Sequence, residues 1–354
     1  MGAKATVEEF LVEVEKSFKF LQLDYIDLFS FHGLNKPSHF DDLFGDGGQY
    51  AAILPYVQSG KIRHVGFSTH APTDLICKFI DTDKFEYVNL HYHYFGSYTA
   101  SGHAFPDNGN KKAFQLAKEK GMGIFIISPF DKGGGLFNSS RTLRNICDTE
   151  GMDPMEFGVG WLLKEGAHTM TVGVGRVEDY DEPHHASVSF GRDESGFFGK
   201  VERLEAKLDS VQEEALGKEW VESWWDGLPS CFDTPGGVNF TLVVWVHNLF
   251  KSFGMRWFAL ERHSGGAANL KSWDPNKTNE ENIETWSYVP GLNPVKGVNY
   301  EEELKTVRPS NFERVKKIVE EDFFDMIEKD EGDKDWEQGW DSIDLRPWVA
   351  YPER

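Results

Sequence analysis

Three groups of residues in this 354-residue chain have types and spacings suited to chemistry. The stretch LDYIDLFSFHGLN, Leu23 to Asn35, ends an apolar run on His32, where an imidazole at a strand terminus could move a proton or orient a polarised oxygen. The residues alone leave open whether His32 does this or is a satisfied structural histidine. In NLHYHYF, His91 and His93 alternate onto one strand face, a spacing that can hold zinc. A metal needs a third and a fourth ligand, and His184 with His185 offers no obvious geometry, so no metal is expected. Gly133 to Gly135, after SPFDK, could cradle phosphate through exposed N–H groups or form a flexible loop. Cys77, Cys147 and Cys231 lie far apart with no CxxC pair, which argues against a disulfide framework, a zinc knuckle or an iron–sulfur cluster made by this chain alone.

Such residues need elements to position them. With 40% hydrophobic and 14% aromatic content the chain can bury a large core and a smaller second one. Its formal net charge of −21 repels nucleic acid and anionic membrane surfaces, and no local basic patch offsets it. No run of about 18 apolar residues could span a membrane, and MGAKATVEEF lacks the apolar stretch of a signal peptide. With the cysteine usage, these features lead to the expectation of a soluble, cytoplasmic protein. Hydrophobic spacing predicts helices over 6–20, 50–59, 73–80, 111–120, 141–148 and 154–164, and strands over 25–31, 60–70, 85–95, 123–130 and 168–175. Five strand–helix alternations imply parallel pairing, with functional loops at the strand C-terminal ends. An open doubly wound sheet and a closed barrel both fit, although no GxGxxG follows a first strand.

After about residue 191 the pattern changes. Charged and apolar helices over 198–216 and 240–255 flank a connector rich in Trp, Pro and Gly. The polar stretch 267–300 reads as a long loop, 312–326 as an amphipathic helix, and the segment from 329 as an acidic tail carrying Trp336, Trp340 and Trp348. Three units are expected: 1–195, 196–328 and 329–354.

Five segments in order, DYIDLFSFHGLN, SGKIRHVGFSTH, EYVNLHYHYF, AKEKGMGIFIISPFDKGGGL and TVGVGRVEDYDE, resemble successive strand and loop motifs of the aldo-keto reductase superfamily. The region WVESWWDGLPSCFDTPGGVNFTLVVWVHNLFKSFGM is similar to the C-terminal ferredoxin-like helical extension of one oxidoreductase subgroup, in the branch without cluster cysteines. The resemblance implies an α/β fold, a partial TIM (β/α)8 barrel comprising strands 4 to 8, with a mainly α-helical extension and no iron–sulfur cluster. It implies hydride transfer between NADP(H) and a small-molecule carbonyl substrate.

In that family a Tyr acid, a Lys, an Asp and a His share the chemistry, and His32 falls on the histidine. The other three lie on strands preceding this one and have no counterpart, so the sequence reads as N-terminally truncated and inactive in this form. Carried over by position, Ser68 and Thr69 (for Asn) and Asn89 (for Gln) would hold the nicotinamide carboxamide. Ile127 replaces a stacking aromatic. Ser128, Phe130, Gly133 and Leu136 would line the loop over the pyrophosphate, Gly175 and Arg176 the adenosine 2′-phosphate, and Glu182 the adenine, with Pro183 in place of Asn. The alternative is a non-catalytic half-barrel that binds or scaffolds, self-associating through exposed barrel edges.

Overall fold

The computed structural model describes residues 6–96, 109–173, 177–274, 276–278, 281–282, 285 and 291–328. Gly175, Arg176 and the acidic tail from 329 lie outside the described residues. Strands β1 (Ile26–Phe31), β2 (Ile62–Ser68), β3 (Tyr87–Leu90), β4 (Gly123–Ile127) and β5 (Thr169–Thr171) form one parallel sheet in sequential order. Helices α1 (Val7–Leu21), α2 (Pro37–Phe44), α3 (Gln49–Gln58), α4 (Thr73–Ile80), α5 (Lys111–Glu119), α6 (Arg141–Asp148) and α7 (Pro154–Glu165) precede or connect the strands. The result is a five-stranded parallel half-barrel, with β1 and β5 as its edges.

Strand periodicity divides the sheet into two unlike faces. Phe29, Phe31, Val65, Phe67, Val88, Leu90, Ile124 and Ile126 are all buried and point to one side. Helices cover that side: Phe10 of α1 stacks on Phe31 at 5.5 Å, and Phe79 of α4 lies 5.6 Å from Phe67. The opposite side carries Leu28, half exposed at 50%, with Ser30, His64, Asn89, Phe125, Ile127 and Thr171, all exposed or partly so. Parallel sheets are ordinarily covered on both faces. Here Tyr87 supplies local cover by lying across Gly66, where an added Cβ would come within 2.5 Å of its ring.

The second layer is helical: α8 (Asp181–Arg192), α9 (Glu194–Leu216), α10 (Lys218–Val221), α11 (Phe240–Phe253), α12 (Arg256–Ser272), α13 (Phe312–Lys317) and α14 (Phe323–Glu328), the last two joined by a π turn over Ile318–Asp322. Helix α11 is apolar nearly all round and correspondingly buried. It starts where the Asn239 side chain accepts from Leu242 N–H at 2.9 Å. Trp245 of α11 donates its indole N–H to the Phe95 carbonyl at 2.8 Å, and Trp161 of α7 donates to Glu205 of α9 at 3.1 Å, so the extension is bolted to the half-barrel. No described helix is long and apolar enough to cross a membrane.

Several sequence expectations need correction; the strand expected over 85–95, for one, spans only Tyr87–Leu90. Residues 267–272, expected in a loop, complete α12 despite Gly265 and Gly266. Tertiary contact overrides their low propensity, since Asn269 donates to the Gly291 carbonyl at 2.8 Å and Asn293 to the His263 carbonyl at 2.8 Å. Of the described residues of the last strand, expected over 168–175, only Thr169–Thr171 are strand, the three residues whose span pairs with Phe125–Ile127.

Candidate functional site

The C-terminal ends of β1 to β4 bring the chemical residues together. His32 follows β1 and is exposed. The next two residues fold back onto β2: Gly33 N–H donates to Ser68 Oγ at 3.1 Å, and Gly33 and Leu34 N–H both donate to the Ser68 carbonyl at 3.0 Å. Ser68 and Asn89 are register partners on adjacent strands, both half-buried on the uncovered face. Thr69 differs. It is fully buried, donates its hydroxyl to the Leu34 carbonyl at 2.8 Å and accepts from Ala71 N–H at 2.9 Å. Its hydroxyl therefore braces the turn after β2.

Next to these sits a polar cluster that sequence reasoning did not assemble. The rings of His70 and His91 lie 4.5 Å apart, and those of His91 and His93 5.8 Å apart. Burial holds the His70 and His93 pKa values down to about 3, and Lys132 adds to both shifts; His32 contributes to that of His70 and Arg262 to that of His93. His91 is lowered well below its ordinary value, first by burial and then by His70 and Lys132. Asp131 and Lys132 follow β4, while Glu261 and Arg262 arrive from α12. Burial pushes both carboxyls up, pushes Lys132 down, and is partly offset by the neighbouring opposite charges. Arg262 is 1% exposed and meets Glu261 at 2.6 Å. The His93 ring nitrogens, one Asp131 oxygen and one Glu261 oxygen are buried without a protein hydrogen-bond partner. His70 was visible in GFSTH, but nothing in the helical pattern of α12 signalled that Arg262 points into a strand-end cluster.

The loop after β4 is closed. Ser128 sits in the left-handed region at φ 51°, a strained conformation for a residue with a Cβ, fixed by its N–H to the Thr171 carbonyl at 3.1 Å. Phe130 is fully buried against Phe137, and Leu136 is likewise core. A Cβ on Gly133 would meet the Pro129 carbonyl and come within 2.8 Å of the His93 ring. One on Gly134 (φ 121°) would come within 2.7 Å of Met255, and one on Gly135 (φ 65°) within 2.7 Å of the Trp257 ring. The glycines are thus the condition for seating α12 directly on this loop.

Glu182 stands apart, in the first turn of α8. Its carboxyl is raised by burial and by Glu156, and Glu156 pairs with His185 at 3.0 Å. Among the described residues these three, with ligand atoms within 4.8 Å of one another, form the one grouping with metal-ligand spacing; His91 and His93 do not belong to it.

No curated protein matches the chain. Among solved structures it is similar to the aldo-keto reductase AKR11C1 from Bacillus halodurans in its holo form, at 16% identity and a TM-score of 0.41, covering 56% of this chain and 65% of that one. It is also similar to a thermostable aldo-keto reductase, Tm1743, in complex with the inhibitor epalrestat, at 20% identity and a TM-score of 0.39, covering 56% and 66%. The chain therefore spans about two thirds of the length of these structures. The profile of the Aldo/keto reductase family matches residues 1–190, more than half of the chain, and the chain belongs to that family.

Proposed function

We propose that the chain is the cofactor-side half, strands 4 to 8, of an NADP(H)-linked oxidoreductase acting on a small-molecule carbonyl. One observation carries this reading: Ser68 and Asn89 are register partners at the open C-terminal ends of β2 and β3, with His32 one strand away on the same end. A hydroxyl and an amide there can each donate to and accept from a carboxamide, and His32 can orient a carbonyl. Bound NADPH would supply the hydride. The remaining carried-over positions divide. Arg176 lies outside the described residues, Thr69 is committed to its turn, and the loop of Gly133 and Leu136 is closed by α12, so that loop does not fit a pyrophosphate in its present arrangement.

Because the Tyr acid, Lys and Asp have no counterpart in matching motifs, this chain alone should transfer hydride slowly or not at all. Positioning by His32 cannot replace a proton donor of tuned pKa. The test is NADPH oxidation with a panel of aldehydes and ketones, for the wild type and for His32→Ala. We expect rates at background for both. Turnover above about 1 s⁻¹ that falls on His32→Ala would contradict the inactivity and place a proton donor elsewhere in the chain. The second reading, a non-catalytic half-barrel that self-associates through β1 and β5, draws support from the uncovered sheet face; a concentration-dependent dimer in sedimentation, lost when a lysine replaces Leu28, would favour it.

A further inference from the structure

The loop after β4 and helix α12 are packed so closely that nothing else fits between them. Met255, Trp257 and the Phe258 Cβ, the last 3.4 Å from a Cβ position on Gly135, fill the space above Gly134 and Gly135. The contact is apolar at its N-terminal end and incompletely paired one turn further along, where half-buried Asp131, Lys132 and Glu261 lie with buried Arg262 and one buried oxygen of each carboxylate lacks a protein donor. Unpaired buried oxygens weaken an interface relative to a fully paired one. By contrast, α12 is held to the rest of the extension by specific bonds, Arg256 to the Met326 and Ile327 carbonyls at 2.8 and 3.0 Å and Asn269 to the Gly291 carbonyl at 2.8 Å. The boundary between α12 and the loop is therefore the less well-satisfied side of the helix.

We infer that α12 is a built-in competitor for the loop Gly133–Leu136: it occupies the space that a dinucleotide's pyrophosphate would take, so a phosphate-bearing ligand binds there only when α12 lifts off. This rests on the cofactor reading above and adds regulation by the extension to it. The apparent affinity for such a ligand is reduced by the fraction of molecules in which the loop is covered.

Two variants test this, each read by NADPH fluorescence titration and by hydrogen exchange of the loop amides. Trp257→Ala shortens the side chain over Gly135. Gly135→Cys with Phe258→Cys places two thiols at a separation close to the about 3.5–4.5 Å between Cβ atoms that a disulfide requires, and the three native cysteines are buried. Expected are faster loop exchange and roughly tenfold tighter NADPH binding for Trp257→Ala, and no NADPH binding for the oxidised clamp, restored by reductant. Equal NADPH affinity for oxidised clamp, reduced clamp and wild type would overturn the inference, as would loop amides unchanged in Trp257→Ala. If no form binds NADPH while Trp257→Ala still exposes the loop, the occlusion stands and the cofactor reading fails.

Discussion

The two faces of the sheet are made of the same five strands, yet they do different work. One side is a continuous aromatic and aliphatic seam, Phe29, Phe31 and Phe67 against Phe10 and Phe79, with every side chain buried. The other is a discontinuous surface on which Leu28 is half exposed and Gly66 is roofed by a single tyrosine ring. Burial of this kind contributes about 1.5–3 kcal/mol per large side chain, so the helix-covered face holds the fold together. The uncovered face is free to carry polar residues at its C-terminal rim. It is there that His32, Ser68 and Asn89 lie, and there that α12 reaches over.

The largest expected effect is therefore on the covered face. Phe67→Ala should cost about 3–5 kcal/mol in denaturant unfolding, whereas Leu28→Ala, of similar hydrophobic character but half exposed, should cost less than about 1 kcal/mol. Equal losses would erase the distinction between the faces. Next is Gly66→Ala, whose methyl must displace the Tyr87 ring; we expect about 1–3 kcal/mol of destabilisation, largely relieved when combined with Tyr87→Ala. A double-mutant cycle that is simply additive would mean that the ring does not roof the glycine.

Acid should act on the rim before the seam. His70 and His93 have folded pKa values of about 3, below the ordinary value of 6.5, so the unfolded chain takes up protons first as pH falls. The stability is fully present above pH 6.5 and declines as pH drops toward 3, by up to about 1.4 kcal/mol per pH unit for each histidine. His93→Phe should flatten that slope, and an unchanged profile would show that the cluster stays neutral for another reason. The smallest effect belongs to the exposed pair of Lys112 and Asp74, 2.9 Å apart; Lys112→Ala should change stability by less than about 1 kcal/mol, and less still in high salt.

How much of this could be read in the sequence follows the same division. Helices α4 and α6 fall where spacing predicted them, and α5 ends within one residue of its expected end, because alternating strands and amphipathic helices write their periods into the chain. The uncovered face was not legible, since Leu28 looks like a core residue yet is half exposed, and Phe125, whose ring meets only that of Tyr87 among the described aromatic rings, at 5.1 Å, is only partly covered. At the rim, His32 and Ser68 were marked by motif, but the glycine run was ambiguous. Three consecutive glycines satisfy a phosphate and a closely packed helix equally well, and the arbiter is α12, more than a hundred residues away. Thr69 illustrates the same limit: a hydroxyl in a binding motif was spent on bracing its own turn.

The most direct measurement is hydrogen exchange of the wild-type chain with and without saturating NADPH. Expected are protection of the strand ends around Ser68 and Asn89 together with faster exchange through 256–262, as the ligand takes the loop from α12. Protection of 131–136 with α12 unchanged, or no change at either place, would contradict it.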